Sequence, residues 1–172
     1  MKNTRKGFTL AELLLASVMV AVIIGALAFM FQVVVASWST QGPRIGLGVS
    51  AGKAVEEVSR NLRSAIEIGS QNANEIRFSA DKTAYYIYYL YNAADHYPNQ
   101  FTKGLYQLKK TSLSGGLTGT FTYGSGNLVA RDIQPPPASA ISVSGNIVTI
   151  DLNAKRGDSV IRSAGKVRPR NI

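Results

Sequence analysis

From Leu13 through Pro43 the chain carries no charged residue, and this apolar run constrains everything that follows it. A membrane-spanning helix needs about 20 apolar residues at about 1.5 Å of rise each, so the run spans a bilayer with length to spare. The one acid at its lip is Glu12, placed where burying a carboxylate is costly. Ahead of it Lys2, Arg5 and Lys6 stand without an acid. Cationic flanks stay on the cytoplasmic side, so the expected topology is N-in, with the rest exported. Trp38 marks the expected outer interface, where amphipathic aromatics collect. Small residues at Ala16, Ser17, Ala21, Gly25, Ala26 and Ala28 would let helices approach closely, though ordinary membrane-helix composition accounts for them equally well.

Three readings fit this head. A secretory signal cut after Val34-Val35-Ala36 has acceptable small residues before the cut, but the run is about twice the 7–15 residues of such a core. An uncleaved anchor agrees with the hydropathy and leaves Gly7 and Glu12 without a role. The third reading uses both. Gly7-Phe8-Thr9-Leu10-Ala11-Glu12-Leu13 resembles the class III signal of bacterial type IV prepilins and type II secretion pseudopilins. The resemblance implies a leader, residues 1–7, cut after Gly7 by a membrane prepilin peptidase, with Phe8 as the N-methylated mature N-terminus. It implies that Glu12 governs assembly, pairing with a neighbouring subunit. The partners it implies are other pilin or pseudopilin subunits, an inner-membrane assembly platform, and membrane lipid before assembly. The implied location is the bacterial inner membrane, single-pass, then a periplasmic or surface filament.

The physics agrees. Cleavage after Gly7 would create an α-amino group with a reference pKa of about 7.7–8.0, largely cationic, and methylation keeps that charge. Opposite charges in a low-dielectric medium attract strongly and set axial register.

Among the 172 residues are 19 Lys and Arg, 10 Asp and Glu, one His and no Cys. The length suits one modest domain behind the apolar arm and leaves no room for a large multidomain enzyme. Without Cys there is no disulfide framework, thiolate metal site or lipidated cysteine. With His96 as the only histidine, Ser-His, Cys-His and His-rich metal constellations all lack parts, so no enzyme, cofactor or metal is expected. The formal charge of +9 would suit nucleic acid or anionic lipid, but Lys2, Arg5 and Lys6 lie in the leader and much of the rest is a basic carboxy-terminal end.

Gln41-Gly42-Pro43 interrupts the apolar helix, so a kink or melt is expected there, followed by a flexible bend through Gly46 and Gly48. Gly46-Leu47-Gly48 fails the spacing of a phosphate loop. Helix is expected to resume from about Ser50 to Ile68, with Val55, Val58, Leu62, Ala65 and Ile66 on one stripe and Gly69 as its stop. Strands are expected at Glu75–Ser79, Ala84–Asn92, Gly104–Thr111, Gly119–Tyr123 and Asn146–Leu152, with an edge strand from Val160 onward. Turns are signalled at Tyr97-Pro98-Asn99, Ser114-Gly115-Gly116, Gly124-Ser125-Gly126-Asn127 and Pro135-Pro136-Pro137.

The expected fold is α+β: a long N-terminal hydrophobic helix, kinked near Gly42-Pro43, packed on a C-terminal antiparallel sheet. The segments are 1–7 leader, 8–43 transmembrane or filament-core helix, 44–69 amphipathic second half, and 70–172 a β-rich head. Asn61-Leu62-Arg63-Ser64-Ala65, Gly104-Leu105-Tyr106-Gln107-Leu108 and Lys166-Val167-Arg168-Pro169-Arg170-Asn171 are similar to the larger minor pilins and J-type pseudopilins. That likeness implies a pilin-like fold.

The tyrosines of 85–91 read first as cross-strand packing. Their second reading is a stacking platform for single-stranded nucleic acid, with Lys103, Lys109 and Lys110 as candidate DNA-binding residues. The basic tail (Lys155, Arg156, Arg162, Lys166, Arg168 and Arg170) is expected to be solvated or to pair with a neighbouring subunit, with DNA or lipid headgroups as the alternative. Arg156-Gly157-Asp158 spells an adhesion tripeptide that a simple turn also explains. The rival to a filament subunit is an exported binding module, membrane-anchored or secreted, for DNA or surface adhesion.

Overall fold

The apolar run is helical: α1 spans Leu10–Arg63 in the computed structural model, which describes residues 9–95, 101 and 104–170, with the side chains of 39–44 apart. His96 and the expected Tyr97-Pro98-Asn99 turn lie outside the described residues. The chain divides into two compact units, Met1–Gly42 and Pro43–Ile172. That boundary falls between the two residues at which a kink is expected, while the backbone stays helical across it.

In the first unit, Leu10–Trp38 forms 29 residues of apolar helix, about 43 Å long. None of it is buried, and Phe29, Phe31 and Trp38 are 68%, 70% and 76% exposed. Each large apolar side chain withdrawn from water contributes about 1.5–3 kcal/mol, so a surface of this extent demands lipid or other helices around it.

In the second unit the helix lays one stripe on a sheet. Leu47, Ala51, Ala54, Val55, Val58 and Leu62 are buried at steps of three and four residues. The bend expected at Gly46 and Gly48 is instead helix, because Leu47 and Ala51 anchor this turn in the core while Gly48 sits beside Ile161. The carboxy-terminal end also differs from expectation. The helix stops at Arg63, and Glu67–Gly69 is a strand, β1, paired with Arg77–Ser79. The Ile66 N–H donates to Ser79 O at 2.8 Å, so the sheet captures the chain before the helical stripe is used up.

The remaining strands are β2 (Glu75–Ser79), β3 (Tyr85–Tyr91), β4 (Tyr106–Leu113), β5 (Asn127–Ile133), β6 (Ala140–Ser144), β7 (Ile147–Arg156) and β8 (Ser159–Val167). The order is β1-β2-β3-β4-β5-β7-β6, with β8 on β7, and every pairing is antiparallel. The layout is α+β and pilin-like. Registers such as Ile76↔Tyr88 and Leu90↔Leu108 put one set of alternate residues under the helix. Across the β8 side, a Cβ on Gly165 would lie 2.8 Å from Val55 Cγ1, so only glycine lets strand and helix come this close.

The outer face of the sheet is also covered. Ile87, Tyr89 and Leu113 are buried beneath Tyr85, Tyr91, Phe121 and Tyr123. The strand expected over Gly119–Tyr123 is not formed; apart from a bridge between Thr120 and Ser114, this segment lies across the sheet face. Phe121 packs 4.7 Å from Tyr89 and Tyr123 4.9 Å from Tyr91, a layer rather than a ladder. The cover is pinned by a buried ion pair. Arg77 Nε donates to Glu75 Oε1 at 2.7 Å, and Arg77 Nη1 donates to Leu117 O and Gly119 O at 3.0 and 2.8 Å. Glu75 in turn accepts from the Gln71 and Asn72 amides.

Candidate functional site

The site begins at the amino end of α1. The first four amides of a helix have no partner within it, and a side-chain acceptor just ahead of it satisfies one of them. Thr9 is that residue. Its Oγ1 accepts from the Glu12 amide at 3.3 Å, its own amide donates to Glu12 Oε2 at 2.9 Å, and its hydroxyl donates to the same oxygen at 3.0 Å. This is a capping box: threonine and glutamate, three residues apart, satisfy each other's amides. Leu13 N donates to Thr9 O at 3.2 Å, the first turn of the helix.

Glu12 is therefore held in one orientation by its own chain. Its carboxylate is anchored toward the helix amino terminus, where the macrodipole favours negative charge. Sequence reasoning picked out Glu12 and passed over Thr9, although the Thr-x-x-Glu spacing ahead of an apolar run was there to find it. Gly7 and Phe8, the expected cleavage junction, lie outside the described residues. From Leu13 onward the helix presents apolar side chains on every side, with Ser17 Oγ turned inward to Leu14 O at 2.8 Å. The arrangement sets one oriented carboxylate at the end of an exposed apolar rod.

The candidate DNA-binding lysines are separated. Lys103 lies outside the described residues. Lys109 and Lys110 are consecutive on β4 and point to opposite faces. Lys109 donates to Gly124 O and sits 4.5 Å from the Tyr91 ring centroid on the outer face. Lys110 lies over Tyr86, Tyr88 and Phe78 on the helix face, 4.9 Å from the Tyr86 centroid. Tyr88 and Tyr89 are fully buried, so neither ring is open for a base to stack on. Burial pushes the Tyr89 phenol up to about 12, with its hydroxyl donating to Ser125 O at 2.7 Å and accepting from Gly124 N at 3.1 Å.

In the basic tail, Arg162 makes a two-pronged pair with Asp151, at 2.9 Å from Nε and 2.6 Å from Nη2, which holds the guanidinium pKa up. Lys166 and Arg168 are exposed, and Arg170 shares a cleft with Arg60, Arg63 and Ser64. Arg156-Gly157-Asp158 is the β7–β8 turn, with Arg156 paired to Ser159 and Gly157 at φ 58°. Among the described residues no group of three His, Asp or Glu stands close enough to hold a metal ion.

Residues 2–28 match the model of the prokaryotic N-terminal methylation motif, a match that takes in the basic flank, Gly7-Phe8, the Thr9–Glu12 box and the larger part of the apolar span. No curated protein and no solved structure matches the chain.

Proposed function

We propose that the chain, with this methylation motif at its head, belongs to the type IV pilin and pseudopilin family and serves there as a minor pilin or pseudopilin. In this reading it is a building block of a type IV pilus or a type II secretion-like filament, and a substrate of prepilin peptidase rather than an enzyme. The peptidase cuts after Gly7 and methylates Phe8. The helix waits in the inner membrane, is drawn out through the assembly platform, and packs among the helices of other subunits. Burial against those helices replaces burial in lipid, so extraction need not expose the apolar surface to water.

The observation that carries the proposal is the conjunction at the head of α1. A glutamate held by a capping box sits at the mouth of a 29-residue apolar helix whose side chains are exposed along its length. Cleavage leaves Thr9 as the second residue of the mature chain, so the box survives processing. The cationic amine of one subunit can then meet the oriented carboxylate of its neighbour, an attraction that fixes axial register.

Mass spectrometry of the N-terminus of the membrane-extracted protein tests this. The expected result is a chain beginning at methylated Phe8. A chain beginning at Met1 or Ser37 would overturn the proposal in favour of an anchored or conventionally secreted binding module.

A further inference from the structure

The basic tail ends against the last turn of α1. Val167, the final residue of β8, is buried. Pro169 is buried too, and lines a small cavity with Ile68 of β1, Val143 of β6 and Val148 of β7. These two anchors fix the path of the tail and bring Arg170 into a cleft of about 480 Å³ that it shares with Arg60, Arg63 and Ser64. Arg60 and Arg63 stand one turn apart at the end of α1 and so lie on one helix face.

Three guanidiniums therefore line one cleft, and no acid lines it with them. Among the described residues none of the three forms an ion pair. The acids within a turn of Arg60 or Arg63 face other groups or stand alone. Glu67 pairs with Lys82 at 3.5 Å and accepts from the Tyr85 hydroxyl, and Glu57 accepts from the Tyr88 hydroxyl at 3.4 Å and lines a different cavity. Glu56 is exposed and forms no ion pair. The carboxy-terminal end of the helix supplies about half a negative charge, so the cleft keeps an excess of roughly two and a half positive charges. A carboxylate would cancel less than half of that. A phosphate monoester, at about −1.5 to −2 near neutral pH, comes closest to cancelling it. The donors suit the same group, because each guanidinium is a planar fork of N–H donors that matches phosphate oxygens two at a time. Ser64 donates its hydroxyl to Asn61 O at 2.9 Å, which leaves the arginines to make the contacts.

We propose that this cleft binds a dianionic phosphate group, free or as the terminal monoester of a larger ligand, held by Arg60, Arg63 and Arg170. The phosphodiesters of a nucleic-acid backbone, with one charge per phosphate, are the poorer match. The bound group ties the tail to the helix that carries the core of the head. The inference stands whether or not the chain enters a filament.

Nuclear magnetic resonance of the arginine Nε–H groups tests it, on the full chain in dodecyl maltoside micelles at mildly alkaline pH and constant ionic strength. The probes are inorganic phosphate, methyl phosphate and dimethyl phosphate. The first two are expected to move the Arg60, Arg63 and Arg170 signals along one saturating curve and to leave Arg162 and Arg168 in place. Dimethyl phosphate, a monoanion, should bind about fivefold more weakly, and Arg63→Gln and Arg170→Gln should each weaken methyl phosphate by about the same factor, the weight of one exposed charged contact. Both side chains are exposed, so neither change disturbs the fold, and Arg168→Gln, outside the cleft, should leave binding unchanged. Tighter binding of inorganic phosphate than of methyl phosphate would assign the site to the free ion, and the reverse to a monoester. Shifts that never saturate, the same shifts with chloride, equal binding of dimethyl phosphate, or undiminished binding in the two cleft variants would each overturn the proposal.

Discussion

Replacing Glu12 by glutamine and, separately, Thr9 by alanine divides two jobs that the capping box joins. Glutamine can still accept from the Thr9 amide, so Glu12→Gln keeps the cap and removes only the charge. Thr9→Ala does the reverse. It deletes the oxygen that accepts from the Glu12 amide and leaves the carboxylate charged. Losing such a cap costs about 1 kcal/mol, within a range of about 0.5–2, so the open population of the first turn should rise about fivefold. The charge works on another scale. An ionised acid costs about 2.5–3.5 kcal/mol at the bilayer centre and less near the interface, a penalty that pairing with a neighbour's amine would relieve. Glu12→Gln should therefore insert as well as the parent, keep its helix start, and fail to enter filaments. Thr9→Ala should enter them at reduced efficiency. Amide exchange at Leu10–Leu13 in micelles reads the cap, and cross-linking between neighbouring helices reads incorporation. Normal incorporation of Glu12→Gln, with failure of Thr9→Ala, would refute the argument, because the acid would then matter only as a cap.

Two further outcomes follow from the head. Arg77→Ala should destabilise it by about 3–5 kcal/mol, measured by urea unfolding followed by near-ultraviolet circular dichroism, because Glu75 would stay buried without its partner; Glu75→Ala/Arg77→Ala should recover part of that loss, and an effect under about 1 kcal/mol would show that the pair is not holding the cover down. Alkaline titration should also destabilise the head. The folded Tyr89 pKa is raised from 10 to about 12, so its contribution is complete below pH 10 and is lost as the pH rises from 10 to 12; phenolate absorbance should show this tyrosine ionising only with unfolding.

The residues that sequence reasoning placed well are those whose surroundings are uniform. The apolar arm has one medium on all sides, and β2 and β3 are bounded by turns and rich in β-branched or aromatic residues. Errors came where one signal met another. The helical stripe continued to Ile66 and Ile68, yet those residues also alternate as a strand does, and pairing with β2 decided between the two periods. β5 carries no plain strand pattern, and in the fold its register against β4 is bulged and Asp132 is left-handed. β6 follows three prolines that signal a turn, although Ile141 and Val143 alternate plainly. By alternation with Ile76 and Phe78, Glu75 and Arg77 belong to the opposite face of their strand. They are dry because a cover 40 residues later in the chain lies on them, a distance no local pattern can express. At the candidate site Glu12 stands out by its cost in an apolar run, and Thr9 only by its spacing.

That cover makes the head three layers deep: helix, sheet and aromatic lid, with water shut out of both sides of the central strands. A protein built so has little freedom to acquire a new partner by repainting a sheet face, since a change at Tyr88 or Tyr89 disturbs one packed interior or another. Variation is instead steered to the strand margins, the turns and the outward row of β8. Two related heads could keep the same centre and differ in whom they meet, much as locks of one make differ in the wards and share the case.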